Sequence, residues 1–72
     1  MRINRYTFQE LLKCNFLTNA EVARESDYMS PSHLSRVVDG VIKLTPFTRQ
    51  RLEIGLSKLG VNEDDVNKIF RG

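Results

Sequence analysis

The sequence has no tryptophan, one cysteine, one histidine and only two prolines in 72 residues. A lone Cys14 excludes an intramolecular disulfide, so stability has to come from packing, and a reducing, cytoplasmic setting is expected. Beside a single His33 it leaves any zinc site to be completed by carboxylates, which closed structural sites rarely use; no metal and no cofactor is expected. A nucleophilic Cys14 would need a base and an orienting partner that nothing nearby supplies, so no catalytic residue is assigned. Long apolar runs are also missing. None approaches the roughly 18 residues of a membrane span, and the opening Met-Arg-Ile-Asn-Arg is not followed by the apolar stretch of a signal peptide. No membrane partner is expected.

Strand signals are equally scarce. No segment alternates apolar and polar residues over a strand length, and Asp39-Gly40 closes a helical pattern rather than joining two β-branched runs. The length predicts one domain over residues 1–72, and a domain this small cannot also enclose a deep substrate pocket. An enzyme is therefore not expected. The net charge of +2 is unevenly spread, with eight Lys/Arg against five Asp/Glu through residue 51 and three against four beyond it. That distribution permits a nucleic-acid footprint and is equally an ordinary soluble surface.

What the sequence does have is a repeated helix-start signature, a capping side chain flanked by an apolar residue before it and another four positions after it. Thr7 carries it with Glu10 as capping-box partner and Tyr6 and Leu11 as the apolar pair. Thr18 carries it with Glu21, Leu17 and Val22, and Ser30 with Met29 and Leu34, Pro31 following in the first helical position. Thr45-Pro46 repeats the cap and proline ahead of a stripe formed by Leu52, Leu56 and Leu59. Asn62 caps a last helix with Glu63, Asp64 and Asp65 in its first turn, where acids complement the dipole, and Val61 and Val66 as the apolar pair. The reading is a compact all-α domain of five helices at about 7–16, 18–26, 30–39, 45–59 and 62–71. Val66, Ile69 and Phe70 form one apolar face of the last helix, facing either the core or a second subunit.

Residues 17–40 make two short helices joined by a tight turn, the hairpin that DNA-binding proteins use. Ala23 is small where two helices cross closely, and Val22, Leu34, Val37 and Val38 can turn inward to set their angle. Pro31, Ser32, His33, Ser35 and Arg36 then remain outward on the third helix, at the end that would enter a major groove. Arg36 can fork onto a guanine edge or hold a phosphate, while Ser30 and Ser32 can contact either. Arg24, Lys43 and Arg49 can flank them as phosphate contacts. The turn Asp27-Tyr28-Met29 links the two helices. Arg2 and Arg5 are read as solvated basic residues, with a minor-groove arm as the alternative.

Leu17-Thr18, Ala23, Ser30-Pro31-Ser32 and Gly40 together resemble the Cro and repressor (XRE) family of helix-turn-helix domains over about residues 7–60. Within that family the chain is similar to small modulators of repression from temperate phages. The resemblance implies a central helix-turn-helix of λ repressor-like architecture, a bacterial cytoplasmic setting and a part in a lysis/lysogeny switch. It also implies a phage repressor as partner, with operator DNA engaged directly or only together with that repressor. Two departures from the family pattern stand out, the first in the turn and the second from Val38 into the following loop. The turn at residues 27–29 is one residue longer, Val38 stands where an acid is common, and the next loop reads Val41-Ile42-Lys43-Leu44 where basic residues often hold phosphates.

DNA affinity comes largely from cations that neutralise phosphates, so one Lys among three apolar residues predicts weak binding by the chain alone. Val41, Ile42 and Leu44 suit a protein-binding loop instead. Two functions stay open at this point. One is an antirepressor that complexes the phage repressor. The other is a Cro-like homodimer that binds operator DNA directly.

Overall fold

A computed structural model describes residues 2–27 and 29–70. Five helices follow one another: α1 (Arg5–Cys14), α2 (Asn19–Ser26), α3 (Pro31–Val38), α4 (Pro46–Lys58) and α5 (Glu63–Lys68), with no strand among the described residues. The all-α reading holds. The Cα radius of gyration is 10.5 Å, close to the roughly 11 Å of a compact folded chain of this length. Tyr28, in the turn between α2 and α3, lies outside the described residues.

Four of the five expected starts are found. Thr18 accepts from the Glu21 N–H through Oγ1 at 3.2 Å, and Glu21 Oε1 accepts from the Thr18 N–H at 3.1 Å, completing the capping box. Ser30, Thr45 and Asn62 cap α3, α4 and α5. The first start is a correction. Asn4 is the cap of α1, its Oδ1 accepting from the Thr7 N–H at 3.0 Å, so Thr7 lies inside the first turn and forms no box with Glu10. The reason is burial. Starting three residues earlier places Ile3 before the cap and Phe8 four residues after it, and both enter the core, whereas Tyr6 stays 73% exposed.

An apolar residue therefore precedes every cap: Ile3, Leu17, Met29, Leu44 and Val61. Four of them are buried and Leu17 is packed against the core. Leu44 is consequently a core residue, 4% exposed, and not part of a partner-binding loop. The apolar face of the last helix is decided the same way. Val66, Ile69 and Phe70 are all buried in the one core, with Leu52 and Leu56 of α4 and with Val22, Ala23, Leu34, Val37 and Val38 of the α2–α3 hairpin. The chain start is tied to this end by the Asn4 N–H, which donates to the Ile69 carbonyl at 2.6 Å. Cys14, in the last turn of α1, is exposed.

The main packing is α2 against α4, with α3 against α2 and α5 against α4. It turns on Gly55. A Cβ built there would lie 2.7 Å from Ser26 Oγ and 2.9 Å from Ser26 N, so the two helices meet with almost no side chain between them. Ser26 Oγ donates to the Val22 carbonyl at 2.7 Å, which satisfies a buried hydroxyl within its own helix. Arg51 Nε donates to the Ser26 carbonyl at 2.8 Å and so satisfies the last carbonyl of α2. Ala is intrinsically the better helix former by about 1 kcal/mol, yet the clash is with backbone, which cannot swing aside. Gly55→Ala should therefore lower stability by about 1–3 kcal/mol in urea denaturation.

Three helices end alike. After α1, α3 and α4 the chain turns through one positive-φ residue, Phe16 (φ 55°), Gly40 (φ 82°) and Gly60 (φ 85°). The next N–H (Leu17, Val41 or Val61) donates to the carbonyl five positions back, closing the same hydrogen-bonded loop each time. Two of the slots hold glycine, as expected for a left-handed residue. The third holds a phenylalanine that is 93% exposed and contributes no core packing. Phe16→Gly should raise the unfolding free energy by about 1 kcal/mol by removing the left-handed steric penalty, read as a higher thermal midpoint.

Candidate macromolecule-binding surface

The start of α3 is built from its cap and its proline. Ser30 Oγ accepts from the His33 N–H at 3.2 Å, and Pro31 occupies the first helical position, where a missing N–H costs nothing. Leu34, Val37 and Val38 point into the core, which leaves the opposite side of the helix facing out. There Ser30, Pro31, Ser32 and Arg36 are exposed, while His33 and Ser35 are half-buried. Ser35 is fixed from the neighbouring helix, Asn19 Nδ2 donating to its Oγ at 3.2 Å. Thr18 already caps α2, and that frees the amide of Asn19 for this contact. The pair spans 16 positions in the chain, so helix-start patterns carry no sign of it.

Arg24 lies exposed in the last turn of α2. Beyond α3 the chain is folded back, because the Val41 and Ile42 N–H groups both donate to the Arg36 carbonyl, at 2.9 and 3.2 Å. This presents Val41 outward at 74% exposure, leaves Ile42 half-buried against the core, and puts Lys43 in solvent beside it. Of the three apolar loop residues read as partner-binding, only Val41 is fully available. Arg49, read as a flanking phosphate contact, is engaged within the fold. Its guanidinium stacks 4.6 Å from the Phe70 ring centroid and lies 3.6 Å from Glu53.

Sequence reasoning missed what stands opposite the loop. The first turn of α1 and residues 37–44 line a cleft of about 800 Å³, with Arg2, Arg5 and Tyr6 on one wall and Val41, Ile42 and Lys43 on the other. Arg5 Nε sits 3.7 Å from Asp39 Oδ1, joining the two walls across the end of α3. Arg5 thus belongs to a helix, and Ile3 before it is buried, so these residues form no free basic arm. The signal was present in the pattern Ile3-Asn4 with Phe8, which is an apolar, cap, apolar triplet like those at Thr18, Ser30 and Asn62.

Comparison with protein-family models, with curated proteins and with solved structures found no match, so the functional reading rests on these residues themselves.

The Asn19–Ser35 bond sets how α3 is presented from α2, and it is testable as a pair. A double-mutant cycle on Asn19→Ala and Ser35→Ala should give a coupling of about 0.5–1.5 kcal/mol in urea denaturation. Additive single effects would show that the bond does not hold the two helices.

Proposed function

We propose that this chain is a helix-turn-helix transcriptional regulator of λ repressor-like architecture that acts as an antirepressor, complexing a phage repressor in the bacterial cytoplasm. The α2–α3 hairpin is the helix-turn-helix. The outward face of α3 (Ser30, Pro31, Ser32, His33, Ser35 and Arg36) with Val41 and Lys43 is the binding surface. The observation that carries this reading is the loop after α3. In a DNA reader that position supplies cations to phosphates, and here it presents Val41 at 74% exposure with Lys43 as its one cation. Exposed apolar surface gains by burial against protein and gains nothing from a phosphate. The reassignment of Arg49 to Phe70 and Glu53 shortens the cation set further, to Arg24, Arg36 and Lys43.

A second reading, a Cro-like homodimer on operator DNA, draws support from the exposed Ser30, Ser32 and Arg36 around a proline-started helix. The two readings separate by titrating the chain, alone and with its cognate phage repressor, against switch-region duplex. On the antirepressor reading the chain alone binds DNA weakly and forms a stable complex with the repressor, and Arg36→Glu weakens that complex at least tenfold in calorimetry. Specific binding by the chain alone, with log affinity falling against log salt by about 0.9 per phosphate, would instead establish the Cro-like activity.

A further inference from the structure

The cleft between α1 and the α3–α4 loop has a chemistry of its own. Its walls are held rigid. On one side Ile3 is buried and the Asn4 N–H is bonded to the Ile69 carbonyl; on the other the Val41 and Ile42 N–H groups share the Arg36 carbonyl. Tyr6 and Val41 line the cleft with about three quarters of their surface in solvent, at 73% and 74%. Around them are three cations, Arg2, Arg5 and Lys43, against one carboxylate, Asp39. That carboxylate makes only a loose pair with Arg5, 3.7 Å apart with both side chains more than half exposed, so an incoming acid can join or replace it.

We infer that this cleft receives an acidic segment of a protein partner, one that places an apolar side chain between Tyr6 and Val41 and its carboxylates on Arg2, Arg5 and Lys43. Guanidinium groups match carboxylates with paired hydrogen bonds, and apolar surface at the centre with charges at the rim is how protein interfaces are built. Nucleic acid fits less well. Tyr6 and Val41 occupy space where a phosphate-binding cleft would place donors. The inference deepens the antirepressor reading by taking the partner surface past α3 to the first turn of α1. It rests on that reading for the identity of the partner, but not for the chemistry of the cleft.

Two arms test it. In the first, the ¹⁵N-labelled full chain is titrated with a short acidic peptide carrying Leu and Trp, with the same peptide bearing Gln and Asn for its acids, and with a duplex of random sequence. Amide shifts centred on Tyr6, Val41 and Lys43 with the acidic peptide alone, weakened by salt, are expected. An equal response to the amide peptide, shifts centred elsewhere, a stronger response of these residues to the duplex, or no shift at millimolar peptide would overturn the assignment. In the second arm, Tyr6→Ser and Val41→Ser should each weaken repressor binding about tenfold, and Arg5→Glu with Lys43→Glu should weaken it further, with Lys58→Glu on α4 as the unaffected control. Repressor binding that is sensitive to Arg36→Glu but not to the cleft variants would overturn the cleft and leave the antirepressor reading standing. A wild-type chain that binds no repressor would overturn that reading, while the peptide arm still judges the cleft.

Discussion

Everything in this fold is arranged around the place where α2 and α4 touch backbone to backbone, at Ser26 and Gly55. Helices normally cross at 8–10 Å with side chains between them. Here the side chain is absent on one partner and reduced to a hydroxyl on the other, and that hydroxyl is satisfied inside its own helix by the Val22 carbonyl. The close approach lets Leu52 and Leu56 sit fully buried in the same core as Val22 and Ala23. It also brings Arg51 onto the Ser26 carbonyl, so the end of α2 is neutralised from α4. With α2 fixed in this way, α3 is carried on it through Leu34, Val37 and the Asn19–Ser35 bond, and its polar side is left facing outward.

A domain of this size has a small core, and the chain fills it partly through its helix entrances. An apolar residue before each cap is drawn inward, so the segments between helices supply core as well as connection. That economy accounts for Leu44, which looks like loop surface in the sequence and is core in the fold. It also explains why Val41 is informative. Most large apolar side chains among the described residues are buried or half-buried, and those left largely in solvent are Tyr6, Phe16, Val41 and Phe47. Tyr6 and Val41 line one cleft. A third, Phe16, occupies a left-handed position that glycine fills at the two equivalent helix ends.

The charge pattern follows from the same geometry. Arg49 and Arg51 are close in sequence to the expected binding surface, yet each is held by an intramolecular partner, Phe70 with Glu53 and the Ser26 carbonyl respectively. The cations facing outward near α3 are fewer than sequence proximity suggests. The proposed antirepressor role depends on that scarcity, together with the exposed apolar side chain beside Lys43. Ion pairs such as Lys68 with Asp65, both largely in solvent at 3.6 Å, contribute little to stability. Asp65 in the first turn of α5 and Lys68 in its last each complement the helix dipole.

By itself the sequence determined that the chain is helical throughout, where four of the helices begin, and which side of α3 is buried. Those features are local: a cap, its box partner and its apolar pair lie within five or six residues, and the 3.6-residue period places Leu34, Val37 and Val38 on one side whatever the rest of the chain does. The first helix shows where local information ends. Asn4 and Thr7 both offer a cap, and only the gain from burying Ile3 and Phe8 in a core built by other helices selects Asn4. Tertiary structure alone decided the Gly55–Ser26 contact, the capture of Arg49 by Phe70, the burial of Leu44 and the placing of Tyr6 and Val41 in the lining of one cleft. Each depends on residues far apart in the chain, and their distances exist only after the helices have packed.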